Sequence, residues 1–171
     1  MNLRVESEVK SFSSDEIQQR LYSWWSGLEE RKGDRARLRR CRKPADVLVQ
    51  KEFFRFYEII GEPKHLSRKK LAAVCGLLSH VEDDAGRKNF GELLGQAGPE
   101  ASRPKVTEPR FRRLLNYENH EDLYRPIIRI LSQLDNRVPI HGFSKTIFYW
   151  DSEGTRESLA FDYYQTIPLD Q

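Results

Sequence analysis

The sequence predicts an all-α protein with helices on both sides of a connector at residues 95–109. Apolar residues recur at helical spacing along most of the chain, and no run alternates between apolar and polar residues for more than a few positions. The connector, GQAGPEASRPKVTEP, concentrates Gly, Pro and Ser, which favour turns and loops over helices. We therefore expect helices before and after it, and an exposed, mobile loop between them.

Two helices are predicted at the start of the chain. Ser13 and Glu16 form a capping-box pattern, so the first helix should begin at Ser13. Gly33 marks the end of this helix or a turn after it. A second helix should cover about 34–43, because Pro44 disfavours a helical conformation in the residue before it.

Two further helices and a short apolar segment should follow before the connector. Pro44 can open the third helix, where its missing N–H costs little, and Gly61 with Pro63 should end that helix. Ser67 is the expected N-cap of the fourth helix. Apolar residues at 90–94 then form a short segment of their own.

Four helices are predicted after the connector. The fifth opens near Pro109, and the polar stretch 118–121 interrupts or ends it. The sixth covers 123–134, with Pro126 near its start, where proline is tolerated. A turn at 136–139 should follow. The last two helices are indicated by apolar clusters at 143–150 and 159–164.

The composition is that of a folded protein with a densely ionic surface. Hydrophobic residues make up 38% of the 171 residues and charged residues 32%, which suits one domain or two small lobes that share a core. No stretch approaches the roughly 20 apolar residues that span a bilayer, and the N-terminus lacks the apolar core of a signal peptide. Cys41 and Cys75 are expected to be buried free thiols. We therefore expect a cytoplasmic protein.

The residues that usually form catalytic or metal sites are scattered. No phosphate-binding loop motif is present, and the four histidines lie far apart, as do the two cysteines. The densest polar group, 118–122, is interpreted as a solvated helix junction rather than an acid/base cluster. We expect no enzyme, no metal and no cofactor, although catalytic groups can assemble from distant positions.

Basic residues are concentrated in two segments. The net charge is only +3, yet 31–43 holds eight basic residues against one acidic residue, and 103–113 holds five against one. The chain after Trp150 has five acidic residues and one arginine. Such segregation produces a local positive field that the net charge conceals.

The first basic segment predicts a phosphate-binding helix face. On a helix, Arg35, Arg39 and Arg42 would share one flank, and Arg40 would project from the far side. The planar guanidinium group suits bidentate phosphate binding. The alternative is a solvated face with ion pairs inside the chain, for example to Asp46.

The second basic segment predicts a similar face. Phe111 and the leucines after it should be buried, which leaves Arg110 and Arg113 together on one side. Other basic residues could extend a positive track, although the sequence does not determine where they lie: Lys69, Lys70, Arg87, Lys88, Arg103 and Lys105.

Three segments together resemble one known family. They are GDRARLRR at 33–40, RFRRLL at 110–115 and RESLAFDYY at 156–164. Their order and spacing are similar to the CasB family, the small subunit of the type I-E CRISPR Cascade complex. One departure is Leu159, where that family usually has tryptophan. The resemblance implies two packed helical bundles, here 1–94 and 110–171, joined by the loop near residues 95–109.

The resemblance also implies a function. It suggests a non-catalytic subunit that holds target DNA and the displaced strand and so stabilises the R-loop during antiviral defence. The implied partners are a second copy of the chain, the Cascade backbone subunits, the large subunit that recognises the PAM, the guide RNA and the target DNA, with no membrane and no small-molecule substrate. The candidate nucleic-acid-binding residues are Arg35, Arg39, Arg40, Arg42, Arg110, Arg113, Lys69 and Lys70.

Other interpretations stay open on the sequence alone. Arg35 and Arg40 could instead buttress the bundle. The whole chain could be a scaffold whose basic faces bind acidic protein surfaces. A sequence-specific helical regulator is less favoured. Pro44 lies at an unfavourable position for a recognition helix, and no Asn- or Gln-rich helix follows it.

Overall fold

Helices dominate the computed structural model, which describes residues 10–61, 65–98 and 102–168. The predicted all-α fold is confirmed, and only two strands of two residues each occur in the described residues. The helices are α1 Asp15–Gly27, α2 Lys32–Arg40, α3 Pro44–Leu48, α4 Lys51–Ile60, α5 Arg68–Leu78, α6 Phe90–Gly95, α7 Glu108–Leu115, α8 His120–Gln133, α9 Ile140–Phe148 and α10 Glu153–Thr166.

The first helix begins one residue later and ends earlier than the sequence predicted. Its N-cap is Ser14 rather than Ser13, because the Ser14 hydroxyl accepts a hydrogen bond from the Ile17 N–H at 3.4 Å. The helix ends at Gly27, and Gly33 lies inside α2. Two adjacent serines offer equivalent caps in a sequence, so only the backbone conformation distinguishes them.

The predicted third helix is in fact two helices. The backbone leaves the helical conformation at Gln50, which separates α3 from α4. The break allows Val47 of α3 and Phe53 of α4 both to face the core, while Val49 between them is 81% exposed. Two of the predicted boundaries are confirmed: Gly61 ends α4 with a φ of 95°, and the Ser67 side chain caps α5.

A two-residue parallel pairing joins the two sides of the connector. Strand β1, Asp83–Asp84, pairs with β2, Arg137–Val138. The residues before β2, Asp135 and Asn136, both have a φ of 55°. The turn predicted at 136–139 therefore contains a short strand, which no run of alternating residues indicated.

The buried residues form one cluster that includes residues before and after the connector. Phe12 stacks on Phe148 with ring centroids 4.1 Å apart, and α6 lies against α10. The predicted connector is not wholly exposed, because Val106 is fully buried and its N–H donates to the Leu94 carbonyl at 3.1 Å. The division into 1–94 and 110–171 stays a prediction, and residues 99–101 lie outside the described part of the chain.

The structure also shows the state of the two cysteines and whether any described helix could span a membrane. Cys41 and Cys75 are buried free thiols, as predicted. In the described ranges, no helix combines the length and the apolar character that crossing a membrane requires.

Candidate nucleic-acid interface

Helix α2 is held to the protein by one apolar side chain and by its arginines. Leu38 is its only buried residue. A helix this polar gains little from apolar burial, so polar contacts must hold it in place. Arg37, Arg39 and Arg40 lie in its last turn, where cations interact favourably with the helix dipole.

Two of the predicted site residues reach the carboxyl end of α5. The Ser79 carbonyl, at the C-cap of α5, accepts hydrogen bonds from Arg35 Nε at 3.0 Å and Arg39 Nε at 2.8 Å. The Arg35 guanidinium also donates to the Val81 carbonyl, which accepts a further bond from Trp25 Nε1 at 3.1 Å. Both arginines thus satisfy the Ser79 carbonyl, which the helix end leaves without a partner, and Arg35 also bonds the loop that follows. Burial lowers the pKa of Arg35, with a further contribution from the charge of Arg39.

A basic groove lies between the end of α2 and the side of α8. We call it the arginine groove and define it by Arg39, Arg40, Arg42, Arg125 and Arg129. Its volume is about 440 Å³, and Cys41, His80 and Ile128 complete its lining. Of the residues that the structure describes, no aspartate or glutamate lines it.

The charges of the arginine groove are largely uncompensated. Arg39 pairs with Glu82 at 3.2 Å. The other four arginines make no ion pair with any residue that the structure describes. Burial first, and then the charges of Arg39 and Arg35, lower the pKa of His80 from 6.5 to about 4. His80 is therefore neutral at pH 7, and the positive charge of the groove comes from guanidinium groups alone.

Two of the five arginines of the groove were not singled out from the sequence. Arg125 and Arg129 are isolated basic residues in an amphipathic helix, and α8 buries its other face through Tyr124, Ile127 and Leu131. The available signal was their spacing of four residues, which places them on one exposed side of a helix. Nothing in the sequence indicates that this side faces the arginines of α2.

The predicted arrangement of the α2 arginines was wrong in two respects, the flank of Arg42 and the separation of Arg40 from Arg39. Helix α2 ends at Arg40, and Cys41 has an extended backbone. The helical spacing therefore does not continue to Arg42, which does not share a flank with Arg35. Instead, Arg40 and Arg42 line the arginine groove together with Arg39, and Arg35 lines a neighbouring groove with Trp25 and Glu29.

The predicted residues of the second basic segment lie elsewhere on the surface. Arg110 and Arg113 are exposed on α7, whose other face buries Phe111 and Leu114. Neither arginine lines the arginine groove. Arg112 between them pairs with Glu108 at 2.8 Å.

The two predicted lysines have acidic partners within the chain. Lys69 lies 3.6 Å from Glu121, and Lys70 lies 2.8 Å from Asp151. The Lys70 ammonium also lies over the ring of Phe148, 5.7 Å from its centroid. These pairs link the start of α5 to elements after the connector, and neither lysine lines the arginine groove.

The arginine groove has the chemistry of a phosphate site. Guanidinium groups bind phosphate oxygens with two parallel hydrogen bonds and remain charged at any physiological pH. In the described part of the chain, no three side chains of His, Cys, Asp or Glu gather as a metal site would require.

Comparisons with known proteins agree with this fold. The sequence model of the family described as CRISPR-associated protein Cse2 matches residues 34–164. A chain in the crystal structure of E. coli Cascade bound to a PAM-containing dsDNA target superposes with a TM-score of 0.67. It is 20% identical, and the match covers 86% of this chain and 94% of that chain. No curated protein matches the chain in sequence.

Proposed function

The chain belongs to the CRISPR-associated protein Cse2 family, and from this premise we propose that it is the small subunit of a type I-E Cascade complex. In this proposal, the arginine groove binds the sugar–phosphate backbone of target DNA, including the displaced strand. The subunit thereby stabilises the R-loop that forms when guide RNA pairs with one DNA strand.

The observation that supports this proposal most is the convergence of five arginines on one groove. They come from two segments more than 80 positions apart in the sequence, and only one of them has a carboxylate partner in the described residues. Their mutual repulsion disfavours the arrangement unless an anion binds there. A row of phosphates supplies such an anion and releases condensed counterions, so the affinity should fall steeply with salt.

The arginine groove is suited to binding nucleic acid independently of its base sequence. Phosphate contacts position a nucleic acid but do not read its bases. In an RNA-guided complex, pairing between the guide and the target strand determines the sequence, and protein contacts to the backbone add stability. A subunit with this role needs a positive groove and no base-reading helix.

The remaining features of the role are also proposals. We infer a non-catalytic subunit in the cytoplasm that contacts a second copy of itself, the Cascade backbone subunits, the large subunit and guide RNA. Arg110 and Arg113 on α7 are proposed as an additional contact with nucleic acid, because both are exposed. Lys69 and Lys70 could join them only if their internal ion pairs opened.

The test is a charge reversal in the reconstituted complex. Arg125→Glu with Arg129→Glu reverses the α8 side of the groove without disturbing the bonds that hold α2. The complex should assemble as the wild type does, as judged by gel filtration. The R-loop lifetime, followed by permanganate reactivity of the displaced strand, should shorten roughly tenfold or more.

A matched control separates groove contacts from net charge. Lys51→Glu with Arg68→Glu changes the charge equally at two exposed positions that line neither the arginine groove nor the groove beside it. This variant should keep an R-loop lifetime within about twofold of the wild type. If the groove variant fails to assemble, the scaffold interpretation replaces the proposal. If it assembles and keeps a normal R-loop lifetime, the groove is not the DNA contact.

A further inference from the structure

Helix α10 presents an aromatic side chain to solvent. Phe161 is 66% exposed, whereas Leu159 and Tyr163 of the same helix are buried. Glu157 lies one turn before Phe161 on the outward side, and Glu153 lies one turn earlier again. We call Glu153, Glu157 and Phe161 the outer face of α10. Single exposed apolar residues are common on protein surfaces, so the charges around Phe161 decide what its exposure means.

The carboxylates around Phe161 have no basic partner. Glu153 and Glu157 are exposed, and Asp162 is half-buried next to Phe161. In the described ranges, neither these three carboxylates nor Glu92 of α6 lies within ion-pair distance of a basic group. Burial first, and then the charge of Glu92, raise the pKa of Asp162. A cationic partner at this surface therefore gains from charges that the chain itself leaves unpaired.

The exposed phenylalanine of α4 has different surroundings. Phe54 is 61% exposed. Lys51 lies one turn before it and Glu58 one turn after it, and both are exposed. Charges of both signs on one helix face are typical of a solvated surface. The combination of an exposed aromatic ring with charges of one sign is thus a property of α10, which the binding of phosphates by the arginine groove does not explain.

We propose that the outer face of α10 docks on a basic surface of the subunit that carries the guide RNA. A protein that neutralises RNA phosphates has an excess of lysine and arginine, which complements the carboxylates of α10. Glu153 and Glu157 pair with cations at the rim of the contact, and Phe161 fills an apolar pocket at its centre, where aromatic residues contribute most to protein interfaces. This inference rests on the proposed function and adds a second surface to it, because no residue of the outer face lines the arginine groove.

Two other occupants of the outer face are less favourable. Nucleic acid is repelled, because its phosphates and the carboxylates of α10 have the same sign of charge. A second copy of the chain presents its uncompensated cations in the arginine groove, which the proposed function assigns to DNA. The charge of α10 therefore favours a different protein.

The test measures binding of the full chain to a reconstituted complex that lacks the small subunit and DNA but holds guide RNA. The α10 variant, Glu157→Lys with Phe161→Ser, should bind roughly tenfold more weakly or worse, because it loses an aromatic anchor and opposes a cation to cations. Biolayer interferometry, with the complex immobilised through its guide RNA, measures the affinity.

The chain offers a matched control on α4. Glu58→Lys with Phe54→Ser makes the same two changes at exposed positions four residues apart. This control variant should bind within about threefold of the wild type. All four side chains are exposed, so thermal unfolding should show that both variants remain folded. If the control variant loses as much affinity as the α10 variant, the contact is not specific to α10 and the inference fails.

A photochemical cross-link identifies the occupant of the surface without removing its aromatic ring. Phe161→p-benzoylphenylalanine places a reactive ketone there, and mass spectrometry identifies the attached peptide. A cross-link to a lysine- and arginine-rich segment of the RNA-carrying subunit is expected. A cross-link to a second copy, to any other subunit or to the RNA would overturn the proposal, and so would the absence of a cross-link.

The outcomes separate this inference from the proposed function. If the α10 variant binds the complex as the control variant does, the docking surface is wrong and the arginine groove is unaffected. If the α10 variant fails to bind while Arg125→Glu with Arg129→Glu keeps a normal R-loop lifetime, the docking surface stands and the groove is wrong. If the wild type does not bind the complex at all, both proposals fail.

Discussion

At the scale of single residues, the arginines of the first basic segment divide into two roles. Arg35 and Arg39 donate to carbonyl groups at the end of α5, whereas Arg40 and Arg42 are exposed in the arginine groove. Arg39 belongs to both sets, because it also lines the groove. Replacing Arg35 should therefore change stability, and replacing Arg40 should change binding.

A pair of single substitutions tests this division. Arg35→Ala removes the hydrogen bonds to Ser79 and Val81 and should lower the free energy of unfolding by about 1–3 kcal/mol. Arg40→Ala removes no hydrogen bond or ion pair within the described residues and should change the free energy of unfolding by less than about 0.5 kcal/mol. Urea denaturation followed by tryptophan fluorescence measures both values. Equal losses in the two variants would refute the division.

At the scale of secondary-structure elements, α6 and α10 pack closely against each other. Gly91 and Gly95 lie four residues apart on one side of α6 and face the backbone of α10. A Cβ atom at Gly91 would lie 2.7 Å from the Leu159 carbonyl oxygen, and one at Gly95 would lie 2.6 Å from that of Tyr163. Two glycines at this spacing therefore allow the two helix backbones to approach each other directly.

Alanine substitutions measure how much this contact between α6 and α10 contributes to the free energy of unfolding. Gly95→Ala should lower the free energy of unfolding by about 1–3 kcal/mol, because the added methyl group meets backbone that cannot move aside. Gly33→Ala is the control, since nothing lies within 4 Å of its Cβ position and the residue is in a helix. It should raise the stability by about 0.5–1 kcal/mol. Thermal unfolding of both variants would show whether Gly95→Ala lowers the stability and Gly33→Ala raises it.

The buried carboxylate of Glu52 links α1, α4 and the residue before α2. Glu52 on α4 is 3% exposed and accepts hydrogen bonds from Trp24 Nε1 of α1 and from Arg31 Nε before α2, both at 3.0 Å. A charge at this depth is tolerated only when it is paired and hydrogen-bonded. The same contacts therefore determine where α2, and with it the α2 side of the arginine groove, lies relative to α1 and α4.

At the scale of the whole molecule, the elements before and after the connector pack on each other. Helix α5 lies against α8 and α9, and α1 lies against α9. Polar contacts cross the same boundary, since the side-chain oxygen of Gln18 bonds Ser144 at 3.2 Å and His141 at 3.0 Å. The two predicted bundles thus share buried surface, so we expect them to unfold together.

Fluorine NMR of the protein labelled with 5-fluorotryptophan tests this expectation. Trp24 and Trp25 report on the chain before the connector, and Trp150 reports on the chain after it. All three signals should show one urea midpoint, because small domains with one core unfold cooperatively. Two separated midpoints would instead indicate two independent bundles.

Much of the fold was accessible from local patterns. Helical spacing predicted most of the helices, and Gly61 and Ser67 were recognised as helix ends because their residue types suit those positions. The break at Gln50 was missed, because it depends on which residues must face the core on each side of it. The pairing of β1 with β2 was missed for a similar reason: it joins residues more than 50 positions apart.

The sequence by itself determined the all-α class, the basic character of α2 and α7 and the resemblance to a known family, because each depends on residues close together in the chain. Only the tertiary structure decided which cations meet. Arg125 and Arg129 join the α2 arginines, and Lys88 joins Lys105 and Arg137, through packing between distant segments. The tertiary structure also places the Arg35 guanidinium where it donates a hydrogen bond to the carbonyl at the end of α5. The physical reason is that local spacing determines which way a side chain faces on its own helix, whereas packing between helices determines what it faces.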